Sequence, residues 1–260
     1  MSDELSGLRV FDLEQPRWHG APMHPAHVPP GFAYYLHRRH DARTATPDGR
    51  TGSSGTIVTS EHAGTHIDAL CHQAVDLKLC GGVDAAAVAT SFGYRELGVE
   101  AIEPIVARGW LIDLGVAEPE RWIGLDEVRG AAEAQGVSPA AGDVVLVRTG
   151  NGVHWNDEDR YLRGAGMKGE VAQWLADLRV RAVGADNMAW DWSGGPDPDL
   201  GIGLPGHVIL LVRSGVYIVE NLFLEDLAAA RVHEFTFVCT PLKIRGATGS
   251  PVRPIALSRR

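Results

Sequence analysis

Residues 61–72 read EHAGTHIDALCH, the densest run of metal-ligand side chains in the chain. His62, His66, Asp68 and His72 follow one another at spacings of four, two and four residues. In an extended strand successive side chains alternate faces, so four positions of one parity project to one side. Gly64 shares that parity and adds no side chain, which leaves room for an ion or a substrate beside the backbone. A helical reading is poorer. His62 and His66 would share a helix face, but there is no HExxH, and Gly64–Thr65 is a weak helix interior. Two imidazoles and a carboxylate directed at one point suit a borderline divalent cation such as Zn²⁺ or Mn²⁺. Three protein ligands leave one position open to water, as in catalytic sites. The competing reading is a hydrogen-bonded structural cluster.

Outward from this run, the chain reads as strands alternating with helices in the middle, with strands dominating both ends. Residues 8–13, 56–60, 109–114, 143–149, 180–185, 216–219, 235–239 and 252–257 have the short apolar or β-branched character of strands. Residues 125–135 carry Leu125, Val128, Ala131 and Ala132 at helical spacing before Gly136. Residues 169–178 place Val171, Trp174, Leu175 and Leu178 on one helix face, and 205–212 begin a helix at Pro205. Residues 14–30 are rich in proline and hold His19, His24 and His27; residues 41–55 are rich in Gly, Ser, Thr and Asp. Both read as loops, the first long enough to suggest function. The pattern predicts one mixed α/β domain over residues 1–260.

Composition narrows the function. With 260 residues, 45% hydrophobic and 22% charged, the chain is an ordinary globular one rather than a disordered one. The net charge of −9 argues against nucleic acid or an anionic membrane surface as partner. Cys71, Cys80 and Cys239 form neither a disulfide framework nor a CxxC site. The opening MSDELSGLRV lacks the basic region and apolar core of a signal peptide, and residues 204–219 are too short to span a bilayer. A cytoplasmic protein acting on a small molecule is expected.

The run from His62 to His72 resembles the HxGTHxDxPxH signature of the cyclase-type metal-dependent hydrolases, which include bacterial kynurenine formamidases and isatin hydrolases. The resemblance extends over most of the chain, through residues 8–25, LIDL at 111–114, VLVRTG at 145–150, LPGHVILL at 204–211, VENL at 219–222 and residues 240–256. It departs at Leu70, where the family has Pro, so that a fixed φ is released and a backbone donor restored.

The resemblance implies a mixed α/β domain of the swivelling β/β/α-like type with a central, partly barrel-like sheet. It implies metal ligands at His62, His66 and Asp68, with His72 as the general acid/base. A third imidazole ligand is the alternative role for His72. It further implies a second metal held by bridging Asp68 with His207 and Glu220, although isatin-hydrolase-like members can work with one metal, typically manganese. The plain alternative for Glu220 is a solvated charge. The implied cofactor is Mn²⁺ or Zn²⁺, one ion tight and a second weaker, and the implied assembly is a homodimer whose 14–30 loop crosses to the neighbour.

The expected reaction is hydrolysis of a C–N bond in an aryl formamide or cyclic amide by metal-activated water. Lactone or polyketide ring chemistry on the same site is one alternative. A metal-dependent binding protein without turnover is another. Trp18 and Tyr34 are candidates to wall the substrate, or else to pin the loop to the core or a second subunit. Asp186, just after a buried-type strand, is a weak site candidate whose favoured reading is a structural hydrogen-bond acceptor.

Overall fold

The computed structural model describes residues 7–259. Nine strands form the main sheet: β1 (Leu8–Asp12), β2 (His66–Asp68), β3 (Ile105–Asp113), β4 (Val144–Arg148), β5 (Ala182–Ala185), β6 (Tyr217–Glu220), β7 (Glu234–Cys239), β8 (Gly249–Pro251) and β9 (Ile255–Arg259). Their spatial order is β1-β9-β7-β3-β4-β5-β6-β2-β8. The central four, β3 to β6, run parallel, and antiparallel partners extend the sheet on both sides. The sheet curls into a half-barrel, as the mixed α/β expectation required.

The parallel strands are apolar through their buried middles, at 110–112, 144–147, 182–185 and 218–219, because both faces are covered there. Along β4, Val144 and Leu146 face one core with Phe11, Leu111 and Phe237, whereas Val145 and Val147 face the other with Ile112 and Val183. Helices α1 (Leu125–Ala134) and α2 (Gly169–Asp177) close the second core with Val128, Val171 and Leu175. Complete burial of one such aliphatic side chain stabilises the fold by about 1.5–3 kcal/mol. Helix α3 starts at Pro205–His207 and widens into a π-helical stretch, Val208–Ser214, that stops at left-handed Gly215. His207 therefore stands where the α-helix changes pitch, a position often used by functional sites.

Two expectations change. The predicted 56–60 strand is Ser54–Thr59, and it leaves the main sheet to pair with Phe32–Arg38 as a separate ribbon exposed along most of its length. The 252–257 prediction is displaced toward the C-terminus, to β9, with Val252 in the connection from β8. Among the described residues no helix is long and apolar enough to cross a membrane.

Candidate metal centre

Only His66–Asp68 of the 61–72 run is extended; the residues before and after it turn. The one-parity argument therefore holds for His66 and Asp68 alone, and His62 and His72 reach the same place by a different route. The chain reverses at Gly64, whose φ of 63° is left-handed. The space beside Gly64 is not open to an ion, contrary to the expectation. A Cβ there would lie 2.8 Å from Arg17 Nε, and the guanidinium donates to the Ala63 and Thr65 carbonyls on either side. His72 follows a turn closed by its own amide donating to Ala69 O at 2.9 Å, so the turn forms with Leu70 in place of proline.

Sheet register supplies the distant members. β6 pairs antiparallel with β2 so that Glu220 faces His66 directly. Such partners carry their side chains on one face of the sheet, about 5 Å apart at Cβ. On the other edge of β2, Gly249 faces Asp68. A Cβ on Gly249 would lie 2.7 Å from Cε1 of His62, so the glycine makes the space that the His62 ring fills.

His62, His66 and His207 each have one ring nitrogen tied outward and the other turned in. His66 Nδ1 donates to Gly64 O at 2.8 Å. His62 Nε2 is hydrogen-bonded to Thr248 Oγ1 at 2.9 Å, and that hydroxyl in turn donates to Glu61. His207 Nδ1 donates to Asp191 Oδ2 at 2.9 Å, and the same carboxylate accepts from Gly206 N and His207 N. Such partners fix ring orientation around metals.

The inward atoms converge. His62 Nδ1 lies 3.0 Å and His66 Nε2 3.5 Å from Asp68 Oδ1. His207 Nε2 lies 3.7 Å from Asp68 Oδ2 and 3.4 Å from Glu220 Oε1, while Glu220 Oε2 is 3.3 Å from His66 Nε2. His72 joins Asp68 and His207, with ligand atoms all within 4.8 Å of one another. Both Asp68 oxygens, Glu220 Oε1 and His62 Nδ1 are buried and lack hydrogen-bond partners among the described residues. A donor set of imidazoles and two carboxylates with its inward atoms unpaired fits a divalent cation. His62, His66 and Asp68 together could hold one, as could Asp68, His72 and His207, and Glu220 lies beside both sets.

Burial pushes His62 down to about 2, with His66 and His27 adding to it, and His72 down to about 3 against the pull of Asp68. Burial also lowers His66 and His207, but Glu220, and for His207 also Asp191, outweigh it and raise both rings. Glu220 moves the other way: burial favours its protonated form, and the His207 and His66 rings overcome this and lower it.

The two wall candidates and Asp186 fare differently. Trp18 packs edge-on against Trp155, centroids 6.1 Å apart, beside Met188. Met188 lines a cavity of about 150 Å³ over the cluster, together with His24, Ala26, His27, His72, Gln73, Ala189, Leu204, His207 and Glu220. Trp18 thus backs the wall rather than forming it. Tyr34 lies on the exposed ribbon over Gly55, away from these lining residues. Asp186 spends both oxygens on Thr149 N, Thr149 Oγ1, Gly150 N and Gly152 N, at 2.8–3.4 Å, and is a structural acceptor.

Sequence reading missed His24, His27, Asp191, Thr248 and Gly249 as parts of the site. The histidines in a long proline-rich loop were a signal for the first two. The 14–30 loop also folds onto its own chain. Gln15 and Met23 are buried, and His27 stacks on His62 with centroids 4.5 Å apart.

Residues 10–192 match the family model described as a putative cyclase. The chain belongs to the cyclase family. It is 26% identical over 246 residues to kynurenine formamidase of Paracidovorax citrulli (strain AAC00-1), covering 95% of each chain. A shorter match, 34% over 93 residues, links 35% of this chain to 31% of cyclase-like protein 3 of Oryza sativa subsp. japonica. Among solved structures, a novel cyclase superposes with a TM-score of 0.83 at 28% identity, over 96% of this chain and 88% of that one. An isatin hydrolase bound to the product analogue thioisatinate superposes with a TM-score of 0.74 at 23% identity, over 98% and 94%. That second likeness is one of fold.

Proposed function

We propose that this cyclase-family protein hydrolyses a C–N bond in a small aryl formamide or cyclic amide. It does so with Mn²⁺ or Zn²⁺ held by His62, His66, Asp68, His207 and Glu220. The observation that carries the reading is the inward face of the cluster, where four buried polar atoms have no hydrogen-bond partner among the described residues. An unpaired buried polar group costs about 1–3 kcal/mol, and more when charged, so a ligand that satisfies all four at once explains their retention. Similarity to a kynurenine formamidase along 95% of both chains supports the reaction class.

When bound, a divalent cation lowers the pKa of water toward about 7 and polarises a carbonyl oxygen. The chain supplies the rest. His72 lines the cavity beside Asp68 and His207, placed to carry a proton from the attacking water to the leaving nitrogen. Asp191 keeps the His207 ring turned inward. Ala26, Met188, Ala189 and Leu204 give the cavity an apolar wall for a planar substrate and limit the entry of water. Two ions are held, one tight and one weaker, and the protein acts as a homodimer that covers the exposed apolar ribbon.

The test is metal analysis of the purified protein combined with assays on N-formylkynurenine and isatin. A strong chelator should abolish turnover, and Mn²⁺ or Zn²⁺ should restore it. Full turnover by protein shown to be metal-free would overturn the mechanism. Turnover of lactones without amides would move the substrate class.

A further inference from the structure

Behind the His66 ring, on the side away from the cluster, stand two buried polar side chains that the proposed hydrolysis does not use. His66 Nδ1 lies 2.8 Å from Gly64 O. Asn221 Nδ2 lies 3.0 Å from the same oxygen and 3.5 Å from His66 Nδ1. At the other end of the amide, Asn221 Oδ1 lies 2.9 Å from the Tyr161 hydroxyl. Tyr161 and Asn221 are both buried, 60 positions apart in sequence.

One carbonyl settles every donor and acceptor in this network. Gly64 O only accepts, so both nitrogens beside it carry hydrogens. The Asn221 amide is thereby oriented, with Nδ2 on Gly64 and Oδ1 on Tyr161, and the Tyr161 O–H donates. The His66 proton is placed on Nδ1, which leaves the lone pair on Nε2, the nitrogen between Asp68 and Glu220. The 3.5 Å approach of Asn221 Nδ2 to His66 Nδ1 is two donors meeting at one acceptor, whose two lone pairs are both used.

The backbone of Asn221 grips the same place. Its φ of 57° is left-handed, a conformation that Asn tolerates, and it reverses the chain directly after Glu220. Asn221 O accepts from Thr65 Oγ1 at 2.6 Å, and Asn221 N donates to Asn187 O at 3.0 Å. Thr65 Oγ1 in turn accepts from Gln15 N at 2.8 Å. One residue therefore ties the end of β6 to Gly64 and Thr65, the two residues that precede His66.

We propose that Asn221 and Tyr161 are positioning residues for the metal centre. Tyr161 acts through the Asn221 amide, which holds Gly64 O where it keeps the His66 ring with Nε2 inward. The inference rests on the reading that the cluster holds a divalent cation, and a measurement on metal-free protein separates the two.

The experiment combines calorimetric titration of the full chain with Mn²⁺ and Zn²⁺, thermal melting of the metal-free protein, and NMR of the His66 ring. Asn221→Gly removes the amide and keeps the left-handed backbone without steric cost. Tyr161→Phe removes one hydroxyl and keeps the ring beside Trp155 and Met188. Each should weaken metal binding by about tenfold or more, and each should speed solvent exchange of the His66 Nδ1 proton in metal-free protein. Adding Tyr161→Phe to Asn221→Gly should weaken binding by less than about twofold further, because the amide it acts through is gone. Lower melting temperatures with metal affinity and the His66 proton unchanged would make both residues merely structural and overturn the proposal. Fully additive losses in the double variant would overturn the route through Asn221. If Asn221→Gly fails to fold, Tyr161→Phe decides on the same two readouts. Wild-type protein that binds neither metal would refute the cation reading, and the His66 proton then decides alone: faster exchange in the variants upholds the positioning role, and unchanged exchange overturns it.

Discussion

The His62 ring occupies the space left by the absent side chain of Gly249, whose Cβ would stand 2.7 Å from His62 Cε1. Gly249 faces Asp68 across the β2–β8 pair, so one missing methyl group sets how closely an imidazole can approach the central carboxylate. Gly249→Ala adds that methyl to a buried, filled space and should cost about 1–3 kcal/mol of stability. It should also turn His62 away from Asp68 and weaken metal binding about 10–100-fold. Thermal melting and metal titration of the variant check both effects. Unchanged metal affinity would show that the His62 ring is not held by this gap.

His66 and His72 should respond differently to truncation. His66 Nε2 lies between Asp68 and Glu220, so His66→Ala should empty or weaken the site. His72 lines the cavity instead, so His72→Ala should keep metal near the wild-type level while kcat falls by about 10²–10⁴. Elemental analysis beside steady-state kinetics separates the two. Equal metal loss in both variants would make His72 a ligand.

Glu220 tests nuclearity. Asp68 Oδ1 faces His62 and His66, and Oδ2 faces His207, so one carboxylate addresses both halves of the cluster. Glu220 does the same from the neighbouring strand. Glu220→Gln keeps the shape and removes the charge that offsets repulsion between two cations. Metal content should fall from about two per chain toward one, with the His62/His66/Asp68 ion remaining. A single site in wild-type calorimetry, unchanged in the variant, would make Glu220 structural.

The ribbon formed by Phe32–Arg38 and Ser54–Thr59 exposes Tyr34, Tyr35, Leu36, Ile57 and Val58. An isolated two-stranded ribbon is marginal in water, and exposed apolar side chains on one element mark an association surface. A second copy of the chain is the proposed cover. Solution scattering should give a dimer, and Tyr35→Lys combined with Ile57→Lys should give a monomer that still binds metal. A monomeric wild-type protein would sink this prediction.

The sequence by itself determined the kinds of ligands, the strands of the parallel core and the two longer helices. All of these are written locally: a continuous apolar run in β4, and helical spacing in α1 and α2. It also presented His62, His66, Asp68 and His72 within one short run, although the reason inferred for their convergence applied to only two of them. A reversal at Gly64 replaced the continuous strand, because a left-handed glycine packed under Arg17 is a tertiary arrangement that no periodicity announces. Only the tertiary structure decided which distant residues complete the centre. The register of β6 on β2 puts Glu220 opposite His66, and Thr248 meets His62 from 186 positions away. Asp186 and Asp191 look alike in sequence, each an acid beside buried apolar residues. One spends its oxygens on the Thr149–Gly152 backbone and the other orients His207. The difference arises because a local pattern sets which face a side chain takes, whereas strand register and loop docking set what it meets there.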